Sequence, residues 1–326
     1  MYILSETDIM KHYQMKQAIH DLEIGLIAMN NGKIDNPHRT VIEFPERHAS
    51  ILYMPSADNA ENIAGMKTVS IFPENAQVGK QTTQGVLLLT DTENGEHVCL
   101  MNASYLTRLR TGALSGIATK KLSRKDSKVL GVIGTGGMAF EQVLGVLAVR
   151  DIEKLILFNR TIEKAHIFKE KLEHFGIKKD IEIVDNVDKV IHAADIVNCA
   201  TRSETPVFDG KLLKPATHIN GVGSYLPSMR EVDEVTIQKA DKIVVDDLHG
   251  AKEEAGEFIH ADKKGIWSFA DVYGELRDLM TKPFYREAED EITFFKSVGA
   301  SYFDLAVAEG IYREAKKQDF GVKVEI

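Results

Sequence analysis

"VLGVIGTGGMAFEQ" occupies residues 129–142: a short apolar run, three glycines within four positions, then a stretch of helical character. The apolar run reads as a buried strand, and residues 137–149 read as the helix that follows it. Gly134, Thr135, Gly136, Gly137, Met138 and Ala139 between them spell G-x-G-x-x-A. Glycine here permits a tight turn and lets backbone N–H groups at a helix N-terminus come close to negative charge. A strand, this loop and a helix in succession make a phosphate-binding corner, so the loop is expected to hold the pyrophosphate of a dinucleotide.

The pattern downstream supports a nucleotide fold. Strands are expected at 128–133, 154–158, 181–184, 195–200, 217–222 and 242–246, separated by helix-length segments. Short apolar strands alternating with helices predict a parallel, doubly wound sheet. An NAD-binding member of this class would place an acidic residue at the end of the second strand, on the ribose 2′-hydroxyl. "KLILF" (154–158) ends instead in Asn159-Arg160-Thr161. Arg160 offers a planar cation to a 2′-phosphate, with Asn159 and Thr161 adding hydrogen bonds. NADP is therefore expected as the preferred cofactor, with NAD as the second.

Upstream the period changes. Ser5 and Asp8 form a capping box for a short helix, and Met15–Met29 is an amphipathic helix stopped by Gly32. Strands are expected at 49–55, 66–72, 85–91 and 96–102, the last two joined through the Asn94-Gly95 turn. This half reads as α+β with a mostly antiparallel sheet. After residue 286 a strand or turn precedes a terminal helix that can pack on either half. The dinucleotide domain is placed at 119–295.

The composition, 44% apolar and 27% charged over 326 residues, excludes a disordered chain. A net charge of −9 gives no electrostatic footprint for nucleic acid. There is no apolar span for a membrane and no signal peptide at the start, so a cytoplasmic protein is expected. Cys99 and Cys199 lie in apolar runs and read as buried small hydrophobes.

A hydride enzyme also needs groups that hold its substrate. The first half supplies Arg39 after "DNPH", Lys67 inside "IAGMKTVSIF" and Arg110 in "LTRLRTGALSG". A lysine in an apolar stretch must find a partner or a ligand. Arg110-Thr111 is expected to open a helix, whose N-terminus favours anions. His38, His218, His249 and His260 show no metal-ligand spacing, and His218 reads as a core residue. Three cations without a metal site suggest a substrate bearing a carboxylate.

Five stretches carry a resemblance: "GMKTVSIFPEN" (65–75), "GVLLLTDTENGEHVCLMNASYLTRLRTGALSGIATKKL" (85–122), "GVIGTGGMA" (131–139), "NGVGSYLPSMREVD" (220–233) and "FKSVGASYFDLAVAEGIYREA" (295–315). In order, over nearly the whole chain, they resemble the ornithine cyclodeaminase/mu-crystallin family. The resemblance implies a Rossmann domain at 119–295, a substrate-binding and homodimer-forming domain of 1–118 with 296–326, and a carboxylate clamp of Arg39, Lys67 and Arg110. It places the family's threonine at Thr82 or Thr83. With the cofactor we further place Thr111, Ala200, Thr201, Val222, Gly223 and Ser224. In cyclodeaminases an aspartate within V-G-G-D-x-P engages the amine of ornithine. Here Tyr225 stands in its place, and a neutral phenol does not pair with an ammonium as a carboxylate does.

The "G-S-[aromatic]-x-P-S-M" form is similar to bacterial reductases of cyclic imino acids. The resemblance thus implies reduction of Δ1-pyrroline-2-carboxylate, or its six-membered homologue, with Tyr225 near the substrate. Lys67, or a water it orients, is the expected proton donor. Ornithine cyclodeamination, alanine dehydrogenation and a non-enzymatic, crystallin-like role are the alternatives.

Overall fold

The computed structural model describes residues 1–282, 284 and 286–325. The chain begins with β1 (Tyr2–Leu4), α1 (Glu6–His12) and α2 (Met15–Asn30). Then come β2 (Ile34–Asp35), β3 (Thr40–Phe44), β4 (Ala49–Asp58), β5 (Ile63–Ile71), β6 (Thr83–Asp91), β7 (His97–Asn102) and the long helix α3 (Ala103–Leu122). Next are β8 (Val129–Ile133), α4 (Ala139–Leu147), β9 (Lys154–Phe158), α5 (Ile162–His174), β10 (Asp180–Ile183), α6 (Val187–Ala193), β11 (Ile196–Cys199) and β12 (His218–Gly221). The remainder is α7 (Glu234–Lys239), β13 (Lys242–Val245), α8 (Leu248–Glu254), α9 (Gly256–Lys263), β14 (Gly274–Glu275), α10 (Asp278–Thr281), β15 (Thr293–Lys296), α11 (Ser301–Gln318) and β16 (Val322–Lys323). Contacts divide the chain into Met1–Arg110 with Ala300–Ile326, and Thr111–Gly299. The first division falls within α3, upstream of the 118/119 boundary read from the sequence.

The first unit is built on one sheet in the order β16-β1-β7-β6-β5-β4-β2, with β3 also on β4. Only β1 and β7 pair in parallel; the other described pairs are antiparallel. Alternation sets its buried face: Met54 on β4, Ile63 and Lys67 on β5, Leu87 and Leu89 on β6, Cys99 and Met101 on β7. The terminal helix, whose apolar face alone fits either half, lies in this unit. It packs on α2, β4 and β5, and a Cβ at Gly25 of α2 would come within 2.7 Å of Ala306. Phe303, Leu305, Val307 and Ile311 are buried on α11, each worth about 1.5–3 kcal/mol relative to exposure. The Ser5–Asp8 capping box forms as expected, and Gly95 makes the β6–β7 turn at φ +80°.

One local expectation is corrected. Helix α3 starts at Ala103, because the Asn102 side chain accepts the Tyr105 N–H at 2.8 Å and caps the first turn. Arg110 therefore lies well inside the helix, and the helix N-terminus adds nothing to its charge.

The second unit is a parallel sheet in the order β10-β9-β8-β11-β12-β15-β13-β14. Its first five strands have the 3-2-1-4-5 order of a dinucleotide-binding fold, with the direction of winding reversing between β8 and β11. The segment after residue 286, ambiguous in sequence, supplies β15, which inserts between β12 and β13. Gly131 on β8 lets α6 approach, since a Cβ there would lie 2.4 Å from Val190. His218 is a core residue as expected, with Nδ1 2.9 Å from Thr293 Oγ1 and Nε2 3.1 Å from Asn220 Oδ1. Burial pushes its pKa down to about 3, so the ring is neutral. Both cysteines are buried free thiols. Among the described residues no helix is long and apolar enough to cross a membrane.

Candidate cofactor loop and carboxylate clamp

In the second unit the glycine loop follows β8, where the strand order reverses. Gly134 has φ +88°, and a Cβ on it would lie 2.7 Å from Thr201 Cγ2 and 2.9 Å from the Ala200 carbonyl oxygen. Only glycine satisfies both conditions. Hypothetical Cβ atoms on Gly136 and Gly137 meet nothing within 4 Å. Helix α4 starts beside them, and its N-cap residue Met138 makes no side-chain capping bond. The Thr135 hydroxyl is buried without a hydrogen-bond partner. An orphan hydroxyl and open space over two glycines at the start of a helix fit the pyrophosphate of a dinucleotide. Ala139 is fully buried, so the last position of the fingerprint serves packing.

At the end of β9, Asn159 works differently from the sequence expectation. Its Oδ1 accepts the Thr135 N–H at 3.1 Å, and its Nδ2 donates to the Thr161 carbonyl at 2.9 Å. It fixes the glycine loop to the second strand, and its carbonyl is already engaged. Thr161 is the N-cap residue of α5 and makes no side-chain capping bond. Arg160 is exposed. Beyond the neighbouring strands, the Val222 N–H donates to the Cys199 carbonyl at 3.0 Å, and Gly223 and Ser224 are buried. The Tyr225 ring lies 5.9 Å below the Arg202 guanidinium. Thr111, at the start of this unit, is 3% exposed.

In the first unit the charge inside "IAGMKTVSIF" has a partner that the sequence did not single out. Lys67 Nζ lies 2.9 Å from Asp304 Oδ2, and Arg110 Nε lies 3.2 Å from Asp304 Oδ1. Strand β5, helix α3 and helix α11 bring the three together with exposures of 3%, 5% and 0%. Burial pushes the Lys67 ammonium down to about 8; Asp304 opposes that shift and Arg110 adds to it. Two buried cations facing one buried carboxylate leave an excess positive charge in a dry place, and a second carboxylate would balance it. Arg39, half-buried between β2 and β3, is near enough for its charge to act on Lys67. Thr82 lies in the bend before β6, where its carbonyl accepts the Phe72 N–H at 2.8 Å; Thr83 opens β6 opposite Ile71.

Comparisons with known proteins agree on one family. The model of the ornithine cyclodeaminase/mu-crystallin family matches residues 1–319. A Δ1-pyrroline-2-carboxylate reductase of Bacillus cereus is 38% identical over 327 residues, covering 100% of both chains. The solved Δ1-pyrroline-2-carboxylate reductase of Thermococcus litoralis, in complex with NADH and L-proline, superposes with a TM-score of 0.94 at 36% identity, over 99% of this chain and 100% of that one. An archaeal alanine dehydrogenase dimer with bound NAD superposes with a TM-score of 0.91 at 31% identity, over 100% of this chain and 99% of that one.

Proposed function

The chain belongs to the ornithine cyclodeaminase/mu-crystallin family, and from that premise we propose that it reduces a cyclic imino acid with NAD(P)H. The substrate is Δ1-pyrroline-2-carboxylate or its six-membered homologue, and the first of these yields L-proline. The observation that carries the reading is the Lys67–Asp304–Arg110 cluster, which lacks one negative charge.

Lys67, Arg110 and Arg39 hold the substrate carboxylate. C2 of the C=N bond would accept the hydride that a reduced nicotinamide supplies when bound. The imine nitrogen needs a proton to become the amine of the product. Lys67 Nζ has three donors, one of them taken by Asp304, and its pKa of about 8 suits proton transfer near neutral pH. Solvent then restores the lysine proton. Gly134 to Met138 would hold the pyrophosphate, with Ala139 buried behind them, and Thr111, Ala200, Thr201 and Val222–Ser224 would complete the cofactor set. Tyr225 borders the substrate and offers no carboxylate to an ornithine amine.

NADP is the preferred cofactor in this reading, and with the Asn159 carbonyl engaged that preference rests on the exposed Arg160. Arg160→Asp should lower the efficiency with NADPH relative to NADH by about tenfold or more, as expected for a lost charge-assisted bond. Steady-state rates with both cofactors check this, and an unchanged ratio removes the 2′-phosphate contact.

The protein is placed in the cytoplasm as a homodimer. Support for the dimer comes from one unbroken apolar row across the open face of the first sheet, Pro55, Met66, Leu88, Leu100, Ile3 and Val322 in register. Ile3, Met66 and Val322 are exposed, the mark of a surface that meets another chain. Light scattering should give a mass of two chains for the wild type and of one chain for Met66→Glu. A monomeric wild type ends the assignment.

One spectrophotometric panel tests the reaction: NADPH and NADH against pyrroline-2-carboxylate, piperideine-2-carboxylate, and pyruvate with ammonia. Stoichiometric cofactor oxidation with a cyclic imine is expected. Ammonia release from ornithine at constant nicotinamide absorbance would establish the cyclodeaminase instead, and turnover of pyruvate with ammonia alone would establish the dehydrogenase.

A further inference from the structure

Between the cofactor loops and the core of the second unit lies a carboxylate that the reaction does not use. Glu231 is 0% exposed and sits in the segment between β12 and α7. Its Oε1 accepts the Thr201 N–H at 2.6 Å and the Thr201 hydroxyl at 2.8 Å. Its Oε2 accepts the Gly223 N–H at 2.7 Å and the Ser224 N–H at 3.2 Å. All four partners are donors, and an ionised carboxylate is the side chain that accepts at about four sites without donating. Glutamine cannot meet that demand at every site; burial pushes the Glu231 carboxyl up, and a protonated acid meets it only by turning its O–H to the Thr201 hydroxyl.

The two loops so joined follow β11, which stands next to β8 in the sheet, and β12, which stands next to β11. They are also in backbone contact: a Cβ on Gly223 would lie 2.0 Å from the Thr201 carbonyl oxygen. Thr201 in turn lies against Gly134, where a Cβ would come 2.7 Å from its methyl group. A shift of the Thr201 loop is therefore felt at the first glycine of the fingerprint. The segment bearing Glu231 is itself pinned, with the Arg230 N–H on the Ser203 carbonyl at 2.7 Å and the Val207 N–H on the Glu231 carbonyl at 3.0 Å.

A second tier grips the same loop from below. Lys296 of β15 donates to both the carbonyl and the hydroxyl oxygen of Ser224, and pairs with Glu257 of α9 at 2.9 Å. The Ser224 hydroxyl lies 2.9 Å from Glu257 Oε2. One ammonium thus stands with two carboxylates in a wholly buried cluster. Such an arrangement is costly unless every group is engaged, and its gain is a fixed loop.

We propose that Glu231 is a positioning residue for the nicotinamide cofactor: it clasps the loops after β11 and β12 to each other and so holds the cofactor surface in its binding shape. This rests on the reading above that these loops carry the dinucleotide. The test is a fluorescence titration of NADPH, without substrate, into the wild type and Glu231→Gln. The variant is nearly isosteric but turns an NH2 group towards two of the four donors. Its NADPH Kd should rise about tenfold or more, the scale of lost bonds to a charged group. At saturating NADPH its KM for the imino acid should stay within about twofold, which a general loss of structure would not allow.

An NADPH Kd within twofold of the wild type overturns the proposal. So does a rise matched by an equal rise in the imino-acid KM. Should Glu231→Gln not fold, Thr201→Val removes one donor and is read in the same titration; an unchanged Kd there overturns the clasp as well. A wild type that binds neither NADPH nor NADH removes the cofactor reading itself, and this inference with it.

Discussion

Asp304→Asn should move the alkaline fall of kcat/KM from near pH 8 to at least about one unit lower, and cut the rate at pH 8 about tenfold or more. Lys67 is buried, which already pushes its pKa down to about 8, and Asp304 is the charge that holds it there. Asparagine keeps the shape and removes that charge, so the ammonium loses its proton at lower pH. A group that must be protonated to act then fails earlier as pH rises. Lowering the pH towards 6 should restore much of the rate, which a damaged fold would not do. At pH 6 the substrate KM should not rise, because the clamp has lost a competing carboxylate and kept its cations. Full pH–rate profiles of the wild type and variant decide the matter. A limb that stays in place means the rate does not sense Lys67, and the proton-donor assignment falls.

Asp304 also shows what the sequence could and could not tell. The glycine loop, the βα alternation and the hairpin at Asn94-Gly95 depend on neighbours within a few residues, so their chemistry lies in short windows. Lys67 was conspicuous for the same reason, as a charge within an apolar stretch. Its partner carries the mirror signal, an aspartate inside "SYFDLAVAEG", yet the two are separated by 237 positions. Matching unexplained charges of opposite sign in apolar runs would have joined them. Glu231 gives a weaker signal, because it sits among polar neighbours in "SMREVD" and its partners are mostly backbone N–H groups. The start of α3 was missed because Asn102 ends a strand and caps a helix at once. An apolar helical face alone fits either unit, so only the family resemblance put α11 with residues 1–118; the close crossing at Gly25 and Ala306 is the physical reason.

The same helix carries a second, half-buried acid, and Glu309→Gln should stabilise the protein in alkaline but not in acidic solution. Glu309 Oε1 has no hydrogen-bond partner. Burial pushes its carboxyl up to about 8, from an ordinary value of 4.5, with Asp58, Glu61 and Asp21 adding to the shift. Arg313 opposes it but is itself bonded to Asp21, which also accepts the Tyr13 hydroxyl. Between pH 4.5 and 8 the native state therefore holds a proton that the unfolded chain has released. Stability falls as pH rises through that window, and the cost of the buried charge is complete above it. Glutamine keeps the volume and removes the titration. The variant should match the wild type near pH 5 and exceed it by about 1–3 kcal/mol near pH 9, well below the full linkage value because the site is partly open to water. Thermal unfolding at the two pH values reads this directly. A variant whose advantage is the same at both would mean that Glu309 is not held protonated in the folded protein, and that the acidic groups around it are better solvated than their burial implies.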